Sequence, residues 1–506
     1  MVARMLSPAL LGLDTATVEV EVDLRPGLPG FSVVGLPDAA VQEARERVRS
    51  GLVNQAFAVP ALRIVANLAP ADLRKAGPQY DLPVALTILS ASGQVRPGAL
   101  AGTGAVGELA LDGALRPVAG ALAMAEHASR RGWRQLVVPH DNAGEASLVP
   151  GIRVLGARTL RHAVDILERR ASPGGSRVDA AELLAAADRE DHADLADVRG
   201  QGDARRALEI AAAGGHSLLM IGPPGGGKTM LARRLPGIMP GLSVVEALAL
   251  TRVHSAAGLL PAGQALVVRR PFRAPHHTIS AAGLVGGGRV PRPGEITLAH
   301  LGVLFLDEVC AFAPAALDAL RQPLEEGSID ITRAQGTARF PAEPLLVCAG
   351  NPCPCGHAGD PRRACTCAPA VADAYRARIS GPVADRIDLR VDMPRLERDE
   401  MLDHAAAGEA SAAVRARVER ARVAQGARGQ QVPNARLGAG TARDVAALDH
   451  EGRALLGTAI DRLGLTARGC DRVIRVARTV ADLAGARAVE TGHLAEALRY
   501  RSAGGL

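Results

Sequence analysis

The chain has 506 residues, 48% of them hydrophobic, and a formal net charge of +6; the length suits about three domains with sizeable cores, and the charge permits a nucleic-acid partner without demanding one. No run of eighteen apolar residues occurs and no charged-then-apolar leader opens the chain, so neither a membrane span nor a secretory signal is expected, and the protein is expected in the cytoplasm. One Trp, three Tyr and six Phe leave little for stacking bases, and seven Cys in so long a chain are not a secreted disulfide framework.

Thr17 to Leu24 alternates apolar and polar residues, which predicts a half-buried strand. Asp38, just after Pro37, predicts an N-cap for a helix running to Val53. Such short β-like runs and helices continue to residue 170, so 1–170 is expected to be one α+β domain. Ala171-Ser172-Pro173-Gly174-Gly175-Ser176 is linker chemistry, and the linker is drawn over 171–190. An alternating α/β block follows over 191–395. Residues 396–506, rich in Ala, Arg, Leu and Glu, predict an all-helical domain.

The α/β block carries the strongest motif. Gly222-Pro223-Pro224-Gly225-Gly226-Gly227-Lys228-Thr229 fits the G-x-x-x-x-G-K-[ST] phosphate loop at every fixed position. The apolar run Ser217 to Ile221 leads in as a strand, and Met230 to Leu235 leads out as a helix. The glycines let backbone N–H groups face phosphates with no Cβ in the way, and the helix start adds partial positive charge. Lys228 can then reach the terminal phosphates of ATP, and the Thr229 hydroxyl can ligate Mg²⁺. Lysine occurs only at Lys75 and Lys228 in an otherwise arginine-based chain, so its retention at the phosphate position is itself suggestive.

About eighty residues later, Leu301 to Glu308 is an apolar strand ending in Asp-Glu. Asp307 can hold Mg²⁺, and Glu308 can polarise an attacking water. A third apolar strand, Leu345 to Gly350, ends at Asn351, which can position that water from the other side or simply form the turn before Pro352. Cys353-Pro354-Cys355 and Cys365-Thr366-Cys367 supply four thiols that suit tetrahedral Zn²⁺, with His357 an alternative ligand. The one-residue spacing within each pair is tighter than usual, and four reduced cysteines in an exposed loop is the competing reading. His276-His277 invites a metal pair, but adjacent residues rarely chelate together, and structural hydrogen bonding is expected.

Together with Gly200-Gln201, Ala213-Gly214-Gly215-His216, Arg270 to His277, Asn351 to Gly356 and Ser380 to Asp388, these segments resemble AAA+ ATPases of the magnesium-chelatase-like clade. They are most similar to the ComM (YifB) family of bacterial hexameric DNA-remodelling ATPases, and the resemblance covers essentially the whole chain. It implies a P-loop core with an α-helical lid. It also implies that Arg386 is an arginine finger acting on the neighbouring subunit's ATP, and that Arg468 is the lid's sensor arginine. A finger in trans works only in an oligomer, so a ring follows, and the resemblance implies that it is a homohexamer. The family's inserts, here 270–295 and the strand–turn–strand 329–340, would face the central channel. Arg273, Arg289, Arg333 and Arg339 would then meet DNA phosphates without sequence preference.

Lys75 to Leu82 and Gly107 to Gly120 resemble the Lon-protease fold (ribosomal S5 domain 2-like). Gln79 stands at the catalytic serine position and Leu122 at the lysine position, so no Ser–Lys dyad exists and peptidase activity is not expected. Two functions remain. One is an ATP-driven hexameric DNA motor, a branch-migration helicase in homologous recombination and natural transformation. The alternative is a chelatase motor driving Mg²⁺ into a tetrapyrrole. The Lon-like domain and the four cysteines, both features of the family that the chain resembles, favour the first.

Overall fold

The computed structural model describes the chain apart from residues 1, 97, 176–177, 188–192, 289–290, 334–335, 361, 379–385, 396–407 and 503–506; for Arg333, Gly336 and Ser502 it describes the backbone alone. Arg289 and the segment 380–385 therefore lie outside the described residues.

The N-terminal part runs β1 (Val2–Leu11), β2 (Asp14–Arg25), β3 (Gly30–Val34), α1 (Ala39–Asn54), β4 (Arg63–Ala69), α2 (Asp81–Ala91), β5 (Thr103–Ala105), α3 (Ala121–Arg130), β6 (Gln135–Pro139), β7 (Arg153–Ala157) and α4 (Leu160–Leu167). These seven strands form one sheet in the order β3-β4-β2-β1-β5-β6-β7. The alternation at 17–24 lies within β2, where Val18, Val20 and Val22 are fully buried. Asp38 caps α1, its side chain accepting from the Val41 N–H at 2.9 Å. Every residue of α2 is buried, so this largely apolar helix belongs to the domain's core, with its first residue Asp81 paired to Arg47 at 2.6 Å.

Within the expected linker lies the helix α5 (Ala180–Ala187). Then come α6 (Gly202–Gly214), β8 (Leu218–Ile221), α7 (Lys228–Ile238), α8 (Val244–Ala256), β9 (Phe272–Arg273), β10 (Val303–Leu306), β11 (Ser328–Arg333), β12 (Gly336–Pro341), β13 (Leu345–Gly350) and β14 (Leu389–Asp392). A parallel sheet of five strands runs β9-β10-β13-β8-β14. Every residue of β8, β10 and β13 is buried, as apolar strands covered on both faces must be. The C-terminal lid is helical: α9 (Ser411–Ala427), α10 (Ala439–Ala446), α11 (His450–Leu463), α12 (Ala467–Leu483) and α13 (Thr491–Ser502). Among the described residues no helix is long and apolar enough to cross a membrane.

The lid is tied to the sheet by a buried polar network. His216, fully buried, bonds Asp388 at 3.2 Å through Nδ1 and the Thr479 hydroxyl at 2.8 Å through Nε2. Asn434 donates to Thr479 at 3.0 Å and to Asp482 at 2.8 Å. Asp482 is also gripped by Arg428 at 2.6 Å and by the fully buried Arg478 at 3.0 Å. Each buried charge here has its partner, as burial requires.

The N-terminal part is clamped onto the following α/β block at the β1–β2 turn. Leu13 packs in one apolar cluster with Val253, Leu298, Ile331, Ala338 and Phe340. The Arg252 guanidinium donates to the Leu13 carbonyl at 2.7 Å, and the Gly120 N–H donates to the Ser255 carbonyl at 3.0 Å. Gly12 sits at φ +66°, and a Cβ there would lie 2.7 Å from that of Ala338, so this close approach requires glycine. One face of the β11–β12 hairpin lies under this turn, because Ile331, Ala338 and Phe340 form an apolar face that a free hairpin would leave in water.

Candidate active site

Three neighbouring strands end at one place. Gly222 follows β8, Asn351 follows β13 and Asp307 follows β10, all at the carboxyl edge of the parallel sheet, where such folds place ligands. Because β13 lies between the other two, Asn351 lies between the phosphate loop and Asp307. Lys228 is buried, and its ammonium donates to the carbonyls of Gly222 at 2.7 Å and Pro223 at 2.9 Å and to Asn351 Oδ1 at 3.2 Å. Burial pulls its pKa below the ordinary lysine value, while Asp307 and Glu308 push it back up. The Thr229 hydroxyl donates to Asp307 Oδ2 at 2.7 Å. The loop itself is built from its glycines: Gly225 and Gly227 sit at φ +77° and +87°, where no Cβ is tolerated cheaply. Gln201 braces it from outside, donating to the Pro394 carbonyl at 2.7 Å and the Gly226 carbonyl at 3.4 Å.

These groups fit ATP and Mg²⁺. Gly225 and Gly227 border open space, the loop precedes the N-terminus of α7, and a hydroxyl and a carboxylate oxygen already converge as a hard-cation pair would require. Glu308 stands at φ +50°, a left-handed conformation rare for a side-chain-bearing residue, and its carboxylate is largely exposed. His277 Nδ1 lies 3.7 Å from Glu308 Oε2. The His-His pair thus divides its work: His276 bonds the Thr278 hydroxyl at 2.9 Å, while His277 faces the acid. Position in the chain alone carried no signal of that second contact.

The arginines separate. Arg386 and Arg468 line a common cleft of about 610 Å³, which no residue of the phosphate loop borders. Arg436, Arg472 and Arg475 line the same cleft. Arg386 pairs with Glu325 of the short helix Arg321–Glu326, and the Ser217 hydroxyl donates to its carbonyl. Arg468, Arg472 and Arg475 lie four and three residues apart on α12, one helical face, a spacing that could have drawn attention to the latter two.

Of the four arginines expected at DNA, Arg273 belongs to β9 of the core sheet, and its guanidinium forks onto Glu295 at 2.6 and 2.7 Å. Arg339 is mostly exposed on the polar face of the hairpin, 2.9 Å from the Ser328 hydroxyl and 3.8 Å from Asp330. Arg333 ends β11, and Arg289 lies outside the described residues.

The four cysteines come together. Their sulfurs all lie within 4.8 Å of one another, with Cys353–Cys355 at 3.3 Å and Cys365 at 3.6 Å from each. Tetrahedral zinc with bonds of ~2.3 Å places its sulfurs about 3.8 Å apart, so the set fits the ion. Backbone N–H groups of Ala358 and Cys355 point at the sulfurs of Cys353 and Cys367 at 3.2 and 3.4 Å, as they do around thiolates. The turn of this knuckle touches the phosphate loop: a Cβ on Gly356 would lie 2.5 Å from Pro224. We therefore expect freshly purified protein to hold about one zinc per chain by elemental analysis. Cys353→Ser with Cys355→Ser should lose the metal and slow ATP turnover without unfolding the N-terminal domain. Absence of zinc from reduced protein with normal turnover would refute the site.

Residues 194–401 match the family described as magnesium chelatase, subunit ChlI; residues 20–142 match subunit ChlI of Mg-chelatase, and residues 408–501 its C-terminal part. The competence protein ComM of Haemophilus influenzae is 43% identical over 510 residues, covering 99% of this chain and 97% of that protein. The uncharacterized protein YifB of Escherichia coli is 43% identical over 494 residues, covering 98% of this chain and 96% of that protein. An uncharacterized protein of Mycobacterium tuberculosis is 46% identical over 506 residues, covering 99% of both chains. With a phosphate loop, an Asp-Glu strand and a helical lid in the positions just described, and identity of this depth from end to end, the chain belongs to the ComM/YifB family of magnesium-chelatase-like AAA+ proteins.

Proposed function

We propose that the protein is an ATP-hydrolysing motor that works as a homohexameric ring on DNA, in branch migration during homologous recombination or transformation. The observation that carries the ring is the split of the catalytic set. Lys228, Thr229, Asp307, Glu308 and Asn351 share one site, while Arg386 and Arg468 share a cleft that no phosphate-loop residue borders. Arginines so placed can serve a neighbour's nucleotide, with Arg386 as the finger and Arg468 as the lid's sensor beside it. In that reading Lys228 holds the phosphates, Thr229 and Asp307 hold Mg²⁺, Glu308 orients the attacking water, and His277 and Asn351 position their neighbours. Bound Mg²⁺ would supply neutralisation of developing phosphate charge.

The division into a Lon-like domain over 1–170, a linker, an ATPase core over 191–395 and a lid over 396–506 is part of the same proposal. Gln79 and the fully buried Leu122 offer neither nucleophile nor base, so the first domain serves as a scaffold or a contact surface. The DNA assignment draws on the similarity to a competence protein. The matched family descriptions favour a second reading, a motor for magnesium insertion into a tetrapyrrole. The deciding measurement is ATP turnover with and without branched DNA. Stimulation supports the DNA motor; indifference to every DNA form supports the chelatase-type reading.

The hairpin gives a narrower test. Arg333→Ala with Arg339→Ala should weaken DNA binding and DNA-stimulated turnover while leaving DNA-free turnover near normal, and wild-type binding should fall steeply with salt. Equal loss of DNA-free turnover would mean that these arginines serve the fold or the subunit interface.

A further inference from the structure

Four arginines from separate segments converge on one cleft of the N-terminal domain. Arg96 follows α2, Arg134 directly precedes β6, Arg153 opens β7 and Arg169 follows α4; together they border about 790 Å³. All four are exposed, and no Asp or Glu lines the cleft. The adjacent Glu168 is already engaged: its buried carboxylate accepts from the Arg96 N–H at 2.9 Å, pairs with Arg170 at 2.6 Å and lies 3.5 Å from the Arg96 guanidinium. Among the described residues Arg134, Arg153 and Arg169 have no ion-pair partner. Their backbone is well fixed, with the Arg134 N–H on the Gly102 carbonyl at 2.9 Å and the Arg153 N–H on the Arg134 carbonyl at 3.4 Å. Arg169 holds φ +62°, a left-handed conformation that glycine would adopt more easily.

Three like charges, those of Arg134, Arg153 and Arg169, gathered without an ion-pair partner repel one another, so the cleft calls for an anion. Planar guanidinium forks match phosphate oxygens, and several of them spread along one trough match a chain of phosphates better than one small ion. No aromatic side chain lines the cleft, so bases would not be read by stacking. Its floor includes the apolar Leu155, against which sugar edges can lie.

We propose that this cleft binds the phosphodiester backbone of single-stranded nucleic acid, as a contact separate from the hairpin. The proposal rests on the DNA-motor reading above. Its test uses the full-length protein and the variant Arg134→Glu with Arg153→Glu, titrated with fluorescent oligothymidylate over a range of salt. Affinity at low salt should fall at least about tenfold, and the slope of log affinity against log salt should become shallower by roughly 1.4, at about 0.7 per lost contact. Arg134→Lys with Arg153→Lys should recover most of the binding, and DNA-free ATP turnover should stay at the wild-type rate in both variants. Unchanged affinity and slope in the glutamate variant would overturn the cleft while leaving the DNA motor standing. Wild-type protein that binds no DNA would overturn both. Equally tight binding of polyglutamate, lost in the glutamate variant, would assign the cleft to an acidic protein segment and overturn the nucleic-acid assignment.

Discussion

Glu308→Gln should bind ATP as tightly as wild type and hydrolyse it at least about a hundredfold more slowly. The substitution keeps the size of the side chain and removes its basicity, so the phosphate cradle of Gly225, Gly227 and Lys228 is untouched while the water loses its orienting carboxylate. The carboxylate is solvent-exposed, with His277 Nδ1 3.7 Å away, so the swap strands no buried charge. Lys228→Ala should behave in the opposite way. It removes an ammonium that ties Gly222, Pro223 and Asn351 together, so nucleotide binding itself should weaken. Fluorescent-nucleotide binding and single-turnover hydrolysis separate the two effects. Wild-type hydrolysis by Glu308→Gln would remove Glu308 from the active site.

The second large effect concerns Arg386. Arg386→Ala should bind ATP normally and lose about a thousandfold or more in turnover, the size of effect expected of an arginine finger. Mixing it with Glu308→Gln subunits should restore activity. In a random equal mixture of ring subunits, roughly a quarter of the interfaces would join an intact Glu308 to an intact Arg386 from the neighbour. The same complementation should hold for Arg468→Ala, since both arginines border one cleft. Mixed rings no more active than the separate mutants would rule out action in trans.

What the sequence by itself determined is what contiguous residues determine. The phosphate loop needs glycine φ angles and a lysine at a fixed spacing, and Gly225, Gly227 and Lys228 carry them locally. The Asp307-Glu308 strand, the Asp38 cap and the alternation of β2 are legible for the same reason: backbone geometry and side-chain period set them within a few residues. The four cysteines were readable as a set, but their closeness was not, because it depends on how two turns twelve residues apart fold onto each other.

Only the tertiary structure decided the rest. Strand order puts Asn351 against Lys228, since β13 inserts between β8 and β10. Lid packing puts Arg468 beside Arg386, through contacts such as Arg501 donating to the Ile387 carbonyl at 2.9 Å. Arg273 reads as one more basic loop residue until β9 pairs with β10 and brings it to Glu295. The hairpin reads as polar until its apolar face meets Leu13, some three hundred residues earlier in the chain. Contacts across such separations are selected by the burial of whole surfaces, and a local pattern records one surface at a time without naming its partner.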